Sequence, residues 1–96
     1  MDNKEVQKTI EIMKALGHPT RIRIVTTLIM QGSCNVTALM DKLDLKQSNT
    51  SQHLHNLRQA GIVKIERKGN ENYYEIERGL KEYVYVVLEN CLGKCC

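Results

Sequence analysis

The stretch that decides the fold lies between residues 35 and 76 and reads NVTALMDKLDLKQSNTSQHLHNLRQAGIVKIERKGNENYYEI. Apolar residues at helical spacing in its first half predict a short helix that opens at Thr37 and a longer one from about Gln47 to Ala60, where Gly61 ends it. Residues 44–45 form the turn between them. Two short helices joined by a tight turn make a helix-turn-helix.

The periodicity changes after Gly61. Apolar residues at 62, 63 and 65 predict a strand, residues 67–72 are rich in turn formers and basic side chains, and residues 73–76 resume an extended pattern. This order predicts a two-stranded β-hairpin, which in this position would be a wing.

Helical patterns flank this stretch on both sides. A first helix carries Val6, Ile10 and Met13 on one stripe, and a second, capped by Thr20, is apolar on more than one side and therefore belongs at the centre of the fold. A last helix is marked by apolar residues at positions 80, 84, 87, 88 and 91. The sequence predicts a mainly α fold with a β-hairpin, a winged helix-turn-helix of about five helices plus a two-stranded wing, as one domain over residues 1–96.

Composition excludes several classes of protein. The 96 residues contain too little Gly and Pro for a low-complexity chain, no signal peptide is recognisable, and no run of roughly 18 apolar residues occurs. We therefore expect a cytoplasmic protein with no membrane partner. No Ser/His/Asp set, phosphate-binding glycine loop or paired carboxylates can be identified, so we do not expect an enzyme.

Charge and polarity point to the fourth helix as a nucleic-acid reader. Residues 44–70 hold five Lys or Arg against two Asp or Glu, a net charge of +3. The helix begins with Gln, Asn and Ser side chains, which can pair with base edges or phosphates. The predicted DNA contacts are Lys46, Gln47, Ser48, Asn49, Ser51, Gln52, His55 and Arg58 on the helix, with Arg67, Lys68 and Asn70 on the hairpin.

Plainer explanations exist for some of these residues. The polar run could be only the solvated face of a surface helix, and the basic hairpin only an ordinary surface turn. His53 is predicted to pack against a neighbouring helix rather than to contact DNA, and His18 to cap or pack at the corner between the first two helices. A winged helix used only for protein contacts would need an acidic or strongly apolar recognition face, which the sequence lacks.

The runs ALGHPTRIRIVTTL (15–28) and QSNTSQHLHNLRQAGIV (47–63) resemble the ArsR/SmtB family of winged helix-turn-helix transcriptional repressors. The resemblance implies a homodimer that binds double-stranded operator DNA. Where the family commonly has a serine at the start of the recognition helix, this chain has Lys46, and Thr50 replaces a small apolar residue. We expect the helix cap to shift to Ser48 and Lys46 to contact a phosphate.

The two terminal helices are the predicted dimer interface. Their apolar stripes exceed what a core of this size can cover, so we expect them to pair across a two-fold axis. The residues concerned are Val6, Ile10, Met13, Leu80, Val84, Val87 and Leu88.

The inducer sites common in the family are absent from the sequence. A Cys-x-Cys pair would fall at Asn35 and Thr37, and the last helix has no histidine for a zinc site. Thiolates favour soft ions, so we predict a site for trivalent arsenic or Cu(I). Its ligands would be Cys91, Cys95 and Cys96.

Other roles for the cysteines stay open. A fourth ligand for tetrahedral zinc could come from Cys34 or the partner chain. The alternatives to a metal are a thiol redox or persulfide switch, with Cys91 paired to Cys95 or Cys96, and a repressor with no ligand sensor.

Overall fold

The computed structural model describes residues 2–80. Its elements are, in chain order, α1 (Asn3–Leu16), α2 (Pro19–Gln31), β1 (Cys34–Asn35), α3 (Val36–Leu43), α4 (Gln47–Gln59), β2 (Val63–Lys68), β3 (Glu71–Ile76) and a 3-10 turn (Arg78–Leu80). The predicted last helix lies outside the described residues, as do Val84, Val87, Leu88, Cys91, Cys95 and Cys96.

Side-chain caps fix where the first three helices begin. The carboxylate of Asp2 accepts a hydrogen bond from the backbone N–H of Glu5 at 2.7 Å, and the amide oxygen of Asn35 accepts from that of Ala38 at 2.8 Å. These caps satisfy N–H groups that the helix itself leaves free. The third helix therefore begins at Val36, and the prediction that Thr37 opens it was one residue late.

The cap of α2 differs from the prediction. His18, and not Thr20, occupies the cap position, and its Nδ1 accepts a hydrogen bond from the N–H of Thr20 at 3.2 Å. Pro19 explains the earlier start, because its fixed φ and missing N–H suit the first position of a helix. The predicted role of His18 in capping this corner is confirmed.

The predicted two-stranded wing is present as β2 and β3, and the short strand β1 joins it as a third strand. Strand order is β1-β3-β2, all antiparallel, with Cys34 opposite Tyr74 and Lys68 opposite Glu71. Pairing continues to the end of β2, so Arg67 and Lys68 lie on a strand and not in a loop. Only Gly69 and Asn70 remain for the turn, and Gly69 supplies the positive φ of 62° that a tight hairpin turn uses.

The hydrophobic core is built around α2, as its apolar pattern predicts. Ile24, Val25 and Leu28 are almost completely buried and meet Leu39 of α3 and Leu54 of α4. Each such side chain stabilises the fold by roughly 1.5–3 kcal/mol through removal of apolar surface from water. The core therefore holds α4 by one face and leaves its other faces free.

Candidate nucleic-acid interface

The turn before α4 aims the recognition helix away from α3. Asp44 adopts a left-handed conformation with φ 54°, which ends α3, and the N–H of Leu45 donates to the carbonyl of Met40 at 3.1 Å. Asp tolerates this region better than most residues because its short side chain can hydrogen-bond locally. The predicted turn at residues 44–45 is confirmed.

The start of α4 has no side-chain cap. Lys46 occupies the cap position and makes no side-chain hydrogen bond there, and the helix begins at Gln47. The predicted shift of the cap to Ser48 was therefore wrong, because the turn from Asp44 already places Lys46 in extended backbone at the cap. The free N–H groups of the first turn carry the positive end of the helix dipole.

Two opposite stripes run along α4. Thr50, Leu54 and Leu57 are buried, and their spacing of four and three residues puts them on one face. A shift of two residues turns an α-helix by about 200°, so the stripe of Ser48, Gln52 and His55 faces almost directly away from the core. All three are exposed.

Thr50 is the one buried polar residue among those described, and its hydroxyl donates to the carbonyl of Lys46 at 2.9 Å. That bond satisfies the hydroxyl without any partner from the core. A threonine can therefore occupy this buried position without leaving its hydroxyl unpaired.

Every predicted DNA-contact residue is exposed. The set comprises Lys46, Gln47, Ser48, Asn49, Ser51, Gln52, His55 and Arg58 around α4, and Arg67, Lys68 and Asn70 in the wing. The helix and the wing thus both present polar and basic side chains to solvent.

A few side-chain contacts join neighbouring residues of the wing. Nη1 of Arg67 lies 3.5 Å from Oδ1 of Asn72, and Nζ of Lys68 lies 5.2 Å from the centre of the Tyr73 ring. The Tyr73 hydroxyl donates to Glu71 at 3.0 Å, which raises the pKa of Tyr73. These contacts are weak at an exposed site, so both cations can still reach a phosphate.

His53 is half-buried and packs against the start of α2, as predicted. Its ring lies 4.5 Å from that of His18 between centroids, and its Nδ1 accepts a hydrogen bond from Nε of Arg21 at 3.2 Å. Burial lowers the pKa of His53, and the neighbouring His18 and Arg21 lower it further. The neutral imidazole is therefore the form that this site favours.

Two arginines of α2 were missed by the sequence reasoning. Arg21 contacts α1 and α4, and Nη2 of Arg23 donates to the carbonyl of Leu43 at the end of α3 at 3.1 Å. The available signal was that both are charged residues in a helix whose other positions are largely apolar.

Cys34 is the one cysteine within the described residues, and it is buried in β1. Burial raises its pKa, against a smaller opposite effect of Lys42, so the unreactive thiol form is favoured. No group of three or more His, Cys, Asp or Glu in residues 2–80 could hold a metal ion. None of the helices in that part of the chain is long and apolar enough to cross a membrane.

The helix-turn-helix, the three-stranded sheet and the exposed polar face of α4 define a winged helix-turn-helix protein. The sequence model of the family described as bacterial regulatory protein, arsR family, matches residues 18–64. The chain belongs to this ArsR/SmtB family, whose members are DNA-binding transcriptional regulators and not enzymes. The predicted family is confirmed.

Particular relatives agree with this assignment. An uncharacterized HTH-type transcriptional regulator of Methanocaldococcus jannaschii is 39% identical over 87 residues, which are 90% of this chain and 98% of the relative. The crystal structure of the transcriptional repressor PagR of Bacillus anthracis matches with a TM-score of 0.81 and 31% identity, over 90% of this chain and 99% of that one. The arsenic resistance transcriptional regulator ArsR1 of Pseudomonas putida is 33% identical over 78 residues, which are 81% of this chain and 61% of the relative.

Proposed function

We propose that this protein is a transcriptional repressor that binds a two-fold symmetric operator in the cytoplasm as a homodimer. The observation that carries the proposal is the stripe of Ser48, Gln52 and His55, exposed on the face of α4 opposite the core. A helix of this kind fits the major groove, where Gln can pair with adenine and Ser with bases or phosphates.

The remaining contacts would position the protein on the backbone. Lys46 stands at the uncapped start of α4, where free N–H groups also favour a phosphate. Arg67 and Lys68 lie at the end of β2, next to Asn70 in the turn. Side chains of these types bind phosphates or enter a minor groove. Helix and wing would then hold neighbouring segments of one duplex.

Dimerisation is supported by α1. Val6, Ile10 and Met13 share one stripe and are 41%, 38% and 61% exposed, whereas Ile12 and Ala15 on another side are buried. An apolar stripe left in water favours association, and a two-fold axis would place it against its equivalent or against the predicted last helix. Leu80, at the end of the 3-10 turn, packs partly against the core of its own chain, and its role in the interface stays a prediction.

DNA binding is tested directly with a duplex that the native protein selects from a randomised library. Fluorescence anisotropy on that duplex and on a scrambled one of equal length should give specific binding at least about a thousandfold tighter. Both affinities should fall as salt rises, because phosphate contacts release counterions. Failure to select any sequence would contradict the proposal.

The proposed inducer is a thiophilic ion, trivalent arsenic or Cu(I), bound by Cys91, Cys95 and Cys96. Three thiolates are a soft, trigonal donor set. The start of α3 does not suit a thiophilic ion. Asn35 caps that helix, and neither Asn35 nor Thr37 is a thiol. ArsR1, a relative named for arsenic resistance, supports a metalloid as the signal.

Titration of the reduced protein separates this sensor from its alternatives. Trivalent arsenic or Cu(I) should weaken DNA binding of the native chain and not of a Cys91→Ser variant, with Cys34→Ser as the matched control that keeps the response. A response to oxidants or persulfides in place of metals would favour a thiol redox switch. No response to any of them would identify a repressor without a sensor.

A further inference from the structure

One guanidinium joins three helices. Arg21 is half-buried in the first turn of α2, and its Nη1 donates to the carbonyl of Ala15 near the end of α1 at 3.3 Å. Its Nε donates to Nδ1 of His53 in the middle of α4 at 3.2 Å. The charged side chain therefore connects the helix of the apolar stripe to the recognition helix.

His18 fixes the acceptor end of this bridge. Its ring lies 4.5 Å from the His53 ring at an interplanar angle of 56°, and its own Nδ1 is occupied by the N–H of Thr20. The His53 ring thus has a packing partner on one side and a hydrogen-bond donor at Nδ1. It can accept from Arg21 only as the neutral tautomer with the proton on Nε2.

The position of this bridge matters for DNA recognition. Hydrogen bonds to base edges weaken when their geometry departs from the preferred one, so α4 must be held to within about 0.5 Å of its position relative to the rest of the protein. In a dimer the two recognition helices must also match half-sites about 34–36 Å apart. A link from α4 to the end of α1 would restrain α4 within its own chain. Because α1 carries the stripe proposed as the dimer interface, the same link would also restrain the distance between the two recognition helices.

We propose that Arg21 is a positioning residue for operator binding, which holds α4 to α1 through the Ala15 carbonyl and the His53 imidazole without touching DNA. The inference rests on the proposed function. It assigns a specific role in operator affinity to a half-buried residue whose hydrogen bonds go to Ala15 and His53 of its own chain.

Arg21→Met tests the bridge, because it keeps an apolar stem and removes both donors. On the duplex that the native protein selects, the affinity should fall about tenfold, and on a scrambled duplex it should hardly change. The slope of log affinity against log salt should stay at its native value. Lys14→Met is the matched control, since Lys14 lines the same surface groove as Arg21 and lacks the bridge, and it should bind like the native protein.

His53 provides a rescue experiment from the other end. In His53→Asn the amide oxygen can take the place of Nδ1 and accept from Arg21, whereas His53→Leu has no acceptor. His53→Asn should stay within about twofold of native affinity and His53→Leu should match Arg21→Met. The double variant Arg21→Met/His53→Leu should be no weaker than either single one, because all three break the same link.

Several results would overturn the inference. A salt slope reduced by about one, with equal losses on both duplexes, would make Arg21 a phosphate contact. If Arg21→Met and Lys14→Met weakened binding to the selected duplex equally, the bridge would not be the cause of the loss. The same holds if His53→Asn and His53→Leu weakened it equally. If circular dichroism shows that Arg21→Met does not fold, the two His53 variants decide. If the native protein selects no duplex, the proposed function fails first and the inference fails with it.

Discussion

Arg23 donates a hydrogen bond from its Nη2 to the carbonyl oxygen of Leu43, 3.1 Å away, and so attaches the end of α3 to the side of α2. Leu43 is the last residue of α3, and the turn at Asp44 follows it immediately. The bond occupies one of the carbonyls that a helix C-terminus leaves free. It therefore steadies the junction from which α4 departs.

Replacing Arg23 with Met should lower the free energy of unfolding by about 0.5–1 kcal/mol, a modest cost because the arginine is exposed. Urea unfolding followed by circular dichroism measures it. Lys42→Met, which removes a charge from the exposed side of α3, is the control and should change stability by less than about 0.5 kcal/mol. If Arg23→Met and Lys42→Met lowered the free energy of unfolding equally, the bond to the Leu43 carbonyl would contribute nothing to stability.

Thr50→Val should leave the free energy of unfolding within about 1 kcal/mol of the native value. The valine fills the same volume, and the carbonyl of Lys46 still accepts from the N–H of residue 50, which lies 3.0 Å away. Thr50→Ala, in contrast, opens space in a fully buried site and should cost about 1–2 kcal/mol. If Thr50→Val lowered the free energy of unfolding more than Thr50→Ala, this prediction would be contradicted.

Because the pKa of His53 is lowered in the folded protein, the free energy of unfolding should fall when the pH is lowered through the titration of this group. Above its ordinary value of about 6.5 the imidazole is neutral in both folded and unfolded chains and adds no pH dependence. As the pH falls below that value the unfolded chain takes up the proton first, so the folded state loses stability until His53 is protonated there too. Urea unfolding between pH 7.5 and 5 should therefore show a steeper loss for the native protein than for His53→Asn. Parallel losses would mean that His53 is not the group responsible.

The exposed stripe of α1 predicts the oligomeric state. Met13→Asp places a charge where burial would be costly and should shift a dimer to a monomer in sedimentation experiments at micromolar concentration. Lys4→Asp, an exposed change off the stripe, should leave the dimer intact. A native protein that sediments as a folded monomer would remove the stripe as an interface.

The sequence predicted the parts of the fold that follow a periodic pattern. The stop at Gly61, the turn at Asp44 and the buried face of α4 follow from helical spacing and from glycine or aspartate at the right place. Strand β1 is two residues long, too short to carry a period, and it exists only because β3 pairs with it. A two-stranded wing was therefore the natural expectation.

The polar contacts within the fold could not be predicted in the same way. Arg21 and its acceptor His53 are 32 residues apart, and no local pattern connects them. The exposed contact residues were easier, because side chains that cannot pack stand out against Leu54 and Leu57. Sequence thus indicated the exposed polar surface of α4 and the wing, while the interior links that hold α4 became apparent only in the folded structure.

The most direct test of the central claim, that α4 reads DNA sequence, compares three alanine variants on a selected and a scrambled duplex. Gln52→Ala and His55→Ala should each weaken binding to the selected duplex by about 1–3 kcal/mol and leave binding to the scrambled one almost unchanged. Arg67→Ala in the wing should weaken binding to both duplexes alike and lower the salt slope by about one. Equal losses on both duplexes for all three variants would contradict the assignment of α4 as the reading helix.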